Sequence, residues 1–218
     1  MSSRAQVGTY GDGESIATRF TARDATRIAG LLLFALAAQF MIVIMLGASM
    51  APAYDYAGGA ISDLGVVTET ASLFNVSLFV VGLLAIAGGY LFYRSHGRRW
   101  LFLLYAVAGI GALGASVFHL GTSDLHAIFA LVAFIFFNLL AIGTGAVVAG
   151  PMRWVSFLAG AVGLVFVVLM VIGDSGNTAA FGVIGHGGTE RMIVYPVMLW
   201  MLAFGGFLMA TPPEDAAH

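Results

Sequence analysis

Apolar and polar positions alternate along this chain on the scale of whole helices. Six apolar stretches stand out, Ile28–Met50, Ala71–Tyr93, Trp100–Phe118, His126–Val148, Trp154–Ile172 and Met192–Ala210. Each is about 19–23 residues, the length a helix needs to cross the hydrocarbon core of a bilayer. Within each stretch the apolar character is continuous. Helices, which satisfy their own backbone hydrogen bonds in lipid, are therefore expected, and the alternating strands of an outer-membrane barrel are not. The predicted fold is all-α, a polytopic membrane protein built as a six-transmembrane-helix bundle over residues 28–210. Residues 1–27 are polar and rich in Gly, Ser and Thr, and are expected to be largely disordered, with 211–218 as a short tail. Arg19, Arg23 and Arg27 recur every four residues, on one face of a helix, as a topology anchor or a contact with anionic headgroups. No secretory signal fits, because the first apolar run starts late and is too long.

Composition sharpens this picture. Of 218 residues, 60% are hydrophobic and 9% charged, against about a quarter charged in a soluble domain. The net charge of −2 and the lack of a basic block leave no footing for a nucleic-acid partner. With no Cys, disulfides, thiolate metal sites and thiol catalysis are excluded. All nine basic residues are Arg, and eight of them fall on one side of a six-span chain. Arg4, Arg19, Arg23 and Arg27 precede the first span, Arg94, Arg98 and Arg99 separate the second and third, and Arg153 lies between the fourth and fifth. By the positive-inside rule that side is the cytoplasm, which puts both termini inside and the protein in the cell membrane. The outer connections then hold Asp55, Asp63, Glu69, Asp124, Asp174 and Glu190, with Arg191 as their single basic residue.

Small residues recur at packing intervals: Ala141, Gly145 and Ala149, then Ala159 and Gly163, then Gly206 and Ala210. Such faces let membrane helices approach closely, within one bundle or along the seam of a homo-oligomer. No internal repeat supports an inverted-repeat transporter, and no acid lies mid-span to serve a channel or carrier.

Candidate chemistry gathers in the three outer connections. The second, "HLGTSDLH", sets His119, His126 and Asp124 close together, with His186 in the third. Imidazole and carboxylate suit zinc, whose open position would activate a water. The milder reading makes Ser123 or Asp124 the cap of the fourth helix and leaves the histidines at the interface. In the first connection, Ser62 and Asp63 are either reactive groups or caps of a short interfacial helix. Tyr54 and Tyr56 suit the headgroup level, and Asn75 a helix–helix hydrogen bond. That connection is long for packed helices, as lids and binding elements are. In "GHGGTERM", Thr189 is the expected N-cap of the sixth helix, with Glu190 and Arg191 in its first turn. Gly187 and Gly188 argue against His186 and Glu190 sharing a helical face. An Arg in the first turn opposes the helix dipole and needs a partner: an acid such as Asp63 or Asp124, a bound anion, or a structural clamp.

Taken together, "YDYAGGAISDLG", "ASLFNVSLFVVGLL", the short His/Asp loop and "GGTERMIVYPVMLW" resemble the domain of unknown function 998 family. The resemblance covers roughly residues 28–210, with Ser62, Asp63, Gly65, Asn75, Glu190 and Arg191 at the matching positions. It implies a multi-pass prokaryotic membrane protein, most like those of halophilic archaea, and brings no activity with it. A weaker likeness is to the alkaline ceramidase and adiponectin-receptor class of zinc hydrolases, with Ser116, His119, Asp124 and His186 in the analogous parts. That class has seven spans, and two His where this chain offers His186 and Glu190.

Three readings follow. The leading one is an outward-facing polar pocket that binds or processes a lipid headgroup or small amphiphile, formed by Arg191, Glu190, Asp63, Ser62, Asn75 and Tyr54. The second is a zinc-dependent intramembrane hydrolase using His119, His126, His186 and Asp124. The third is a structural or accessory membrane subunit, with Arg191 only as a clamp.

Overall fold

The computed structural model describes residues 21–210. Arg4, Arg19, the rest of the polar N-terminal stretch before residue 21, and the tail 211–218 lie outside the described residues. Among the described residues, six helices are long and apolar enough to cross a membrane. They are α1 (Ala22–Met50), α2 (Ala71–His96), α3 (Arg99–Val117), α4 (Leu125–Val147), α5 (Pro151–Asp174) and α6 (Gly185–Ala210). Each packs on its neighbours in sequence, and α6 closes the ring against α1 while also touching α4.

Local signals explain the helix ends. Thr21 and Asp24 form a capping box at the start of α1, each side chain accepting the other's backbone N–H. Gly97, at φ +70°, ends α2 in the left-handed conformation that an L side chain resists. Pro151 opens α5, where a missing N–H costs nothing. The second connection gives Ser123 a capping role, its hydroxyl accepting the Leu125 N–H at 3.1 Å. Asp124 is the N-cap residue of α4, but its side chain makes no cap bond.

Glycine permits the close crossings. A side chain on Gly30 would meet the Gly205 carbonyl at 2.6 Å, and one on Gly205 would meet the Gly30 carbonyl at 2.6 Å, so α1 and α6 touch backbone to backbone. Of the expected small-residue faces, Gly145 packs on Phe157 and Gly163 on Asn138, both between α4 and α5, whereas Gly206 faces open space. Polar side chains add few but specific ties. Ser77 on α2 donates to the Gln39 amide on α1 at 2.6 Å. The Trp200 indole on α6 donates to Ser156 on α5 at 2.7 Å. Asn138 Nδ2 on α4 donates to the Ile193 carbonyl on α6 at 3.2 Å.

The helices alternate in direction, so the described arginines Arg23, Arg27, Arg94, Arg98, Arg99 and Arg153 share one end of the bundle. At the other end the connection between α1 and α2 folds back over the ring as a cap. Its 3-10 helix, Ile61–Gly65, buries Ile61 and Leu64 in the main core.

Candidate functional site: the cap and the cavity beneath it

The cap is shaped by its own short polar groups. Both Asp55 carboxylate oxygens accept backbone N–H groups, from Ala57 and Gly58, each at 2.9 Å. Asp63 accepts the Ala60 N–H at 2.8 Å and so caps the 3-10 helix, the second of the two roles expected for it. Asn75 Nδ2 on α2 donates to the Gly65 carbonyl at 2.8 Å, and Thr70 donates to Leu64 at 2.7 Å.

Helix α6 then ties this cap down, and here the structure departs from expectation. The helix starts at Gly185, seven residues before the apolar stretch, and Thr189 is inside it, donating to the Gly185 carbonyl at 2.9 Å. Thr189 is therefore not the N-cap. His186 and Glu190 are one helical turn apart despite the intervening glycines, because tertiary packing overrides glycine's poor helix propensity. The Gly187 N–H donates to the Ala57 carbonyl at 2.8 Å, and a side chain there would lie 2.0 Å from the Gly59 carbonyl.

Arg191 is buried, and its hydrogen-bond partners are carbonyls and a phenol. Nη1 donates to the carbonyls of Tyr56, Gly59 and Gly187 at 3.0, 3.1 and 2.7 Å. Nη2 donates to the Tyr54 hydroxyl at 2.6 Å. The guanidinium also lies over the Tyr54 and Tyr56 rings, at 5.5 and 4.9 Å from their centroids. Tyr54 in turn donates to the Ala60 carbonyl at 2.7 Å. Burial pushes the Tyr54 phenol above its ordinary range, with Arg191 opposing, which suits a neutral hydroxyl in this relay. Nε is buried without a hydrogen-bond partner among the described residues. Glu190, also buried, accepts the Ile61 N–H at 2.5 Å through Oε2. Consecutive acid and base on α6 thus grip two parts of the cap.

Beneath the cap lies a cavity of about 60 Å³, with Ile61 and Ser62 of the cap in its wall. On the same scale a water needs about 10–15 Å³. Most of the wall is apolar, drawn from α1, α2, α3, α4 and α6, including Phe40, Phe74, Phe134 and Met198. Its polar members are Ser62, His126, Glu190 and Asn138. Asn138 is fully buried in the middle of α4, and a side chain at Gly163 on α5 would collide with its Oδ1 at 1.8 Å. No expectation singled it out. Its one signal was an amide isolated within "FIFFNLLAIG".

The expected metal ligands do not assemble. His126 is buried, with Nδ1 against the carbonyls of Ala115 and Phe118 at 3.1 and 2.8 Å. His186 pairs instead with Asp174 at the end of α5, Nε2 to Oδ1 at 3.2 Å, and packs edge-on to Phe181. His119 offers its carbonyl to the turn of the second connection, and Asp124 is exposed. Among the described residues no group of three or more His, Cys, Asp or Glu is placed to hold a metal ion. The zinc site is thereby corrected. The histidines stand at different helix ends and two of them are committed to other partners. Ser116, its counterpart in the hydrolase likeness, donates to the Leu113 carbonyl within its own helix.

These features define a multi-pass helical membrane protein with a capped bundle and a small cavity beneath the cap. A family model described as protein of unknown function (DUF998) matches residues 17–206, and the chain belongs to that family. No curated protein and no solved structure matches it.

Proposed function

We propose that the protein binds a small amphiphile at the end of the bundle that carries the cap, and that this end faces the outside of the cell. The observation that carries the reading is the cavity, apolar over nearly all of its wall, with Ser62, His126 and Glu190 among its lining residues. An amphiphile suits such a wall, its apolar body packing among the aromatic and aliphatic side chains. Arg191, Tyr54, Asp63 and Asn75 serve the site by holding the cap in register, and Ser62 and Glu190 reach the ligand. The orientation follows from the arginines gathered at the opposite end.

The test is lipid extraction and mass spectrometry of protein purified in nanodiscs, wild type beside Ala130→Phe, which fills the cavity. A small amphiphile enriched with the wild type and lost from the folded variant is expected. Equal content in both sinks the proposal and leaves the bundle as a structural or accessory subunit.

A further inference from the structure

Among the described residues, Glu190 is the one carboxylate or Arg in the cavity wall. Arg191, adjacent in sequence, is absent from that wall, its Nη groups held by the cap. The chain contains no Lys. Only one Glu190 oxygen, Oε2, is used by the Ile61 N–H. His126 contributes a second acceptor. Both partners of its Nδ1 are carbonyls, which accept only, so Nδ1 carries a proton, and in the tautomer this selects the lone pair lies on Nε2. No hydrogen bond engages Nε2 among the described residues. Ser62 completes the set with a hydroxyl that adapts to either role.

From this inventory we infer that the site selects an amphiphile whose polar end donates hydrogen bonds, an alcohol or a primary ammonium, and rejects anionic heads. The inference rests on the amphiphile reading of the cavity. A carboxylate or phosphate would meet the Glu190 carboxyl and the Nε2 lone pair, with no Arg or Lys among the described wall residues to balance its charge. A hydroxyl or ammonium finds a free acceptor in each. Burial raises the stakes of the mismatch, because electrostatic repulsion is stronger and an unpaired polar group costlier at low local dielectric.

Met198 lines the cavity and reports occupancy. Protein carrying 13C-methyl methionine is placed in nanodiscs, and the Met198 resonance is assigned with Met198→Leu. It is then titrated with octan-1-ol, octylammonium, octanoate and octyl phosphate. The alcohol and the ammonium are expected to shift the Met198 signal at concentrations at least tenfold below those the two anions require. Glu190→Gln keeps an oxygen for the Ile61 N–H, and should abolish any advantage of octylammonium over octan-1-ol. Ser62→Ala, which leaves the clamp of the cap intact, should weaken both donor ligands. Anions binding as well as or better than the donors overturn this inference, and the amphiphile reading stands. If none of the four moves Met198, the amphiphile reading falls and this inference with it.

Discussion

Gly187→Ala tests the cap-and-helix arrangement most directly, because propensity and packing predict opposite signs. Within a helix, Ala is favoured over Gly by about 1 kcal/mol. A reader of the helix alone expects stabilisation. In the structure, however, the new methyl would lie 2.0 Å from the Gly59 carbonyl and 2.7 Å from Arg191 Nη1. Neither contact is tenable, so the cap must move. The carbonyl it displaces is one that Arg191 holds at 3.1 Å, and the Tyr56 carbonyl, held at 3.0 Å, belongs to the same turn. A hydrogen bond to a charged group contributes about 1.5–3 kcal/mol. Losing one and weakening another outweighs the gain in propensity, leaving a net destabilisation of the cap of about 2 kcal/mol. At 1.4 kcal/mol per tenfold, that is about a thirtyfold increase in the open population. Hydrogen–deuterium exchange read by mass spectrometry measures it. Peptides spanning 56–66 should exchange about thirtyfold faster, while those from the middle of α3 and α4 stay near wild type. Slower exchange in 56–66, or a raised melting temperature, would falsify the claim that α6 grips the cap through this glycine.

The same assay separates charge from geometry at Arg191. Arg191→Lys keeps the charge but not the planar fork, and should speed exchange in 56–66 with a loss of about 1.5–3 kcal/mol; wild-type rates would show that charge alone suffices. Gly163→Ala places a methyl 1.8 Å from Asn138 Oδ1, so thermal unfolding should show a loss of about 1–3 kcal/mol from overpacking. Asn138→Ala on that background should recover part of it, and strict additivity of the two changes would refute the contact. Because the chain has no Cys, single cysteines report topology without background. Val183→Cys, fully exposed at the cap end, should react with a membrane-impermeant maleimide on intact cells, and Arg98→Cys only after lysis. The reverse pattern would invert the proposed orientation.

Much of this architecture was legible in the sequence. The number and approximate limits of the spans follow from hydropathy, because lipid acts on each segment as a solvent and needs no knowledge of its neighbours. The helix ends that rest on local chemistry, the Gly97 turn and the Pro151 start, follow from the residues that sit there. The asymmetry of the arginines is a property of the chain order alone. The start of α6 was not legible. "GHGG" reads as a loop until one sees that Gly187 packs against the Gly59 carbonyl and leaves no room for a side chain. Nor were the partner atoms of Arg191, expected as an acid, a bound anion or a structural clamp. Its Nη1 bonds to the cap reach residues 132 and 135 positions away. They end on main-chain carbonyls, which every residue carries and no sequence pattern marks. The histidines show the converse. "HLGTSDLH" and His186 looked like ligands by residue type, but helix packing sent His126 into the cavity and His186 to Asp174. The sequence by itself determined what had to lie in the membrane. Only the tertiary structure decided which polar groups met, since a hydrogen bond depends on distances that the one-dimensional pattern does not contain.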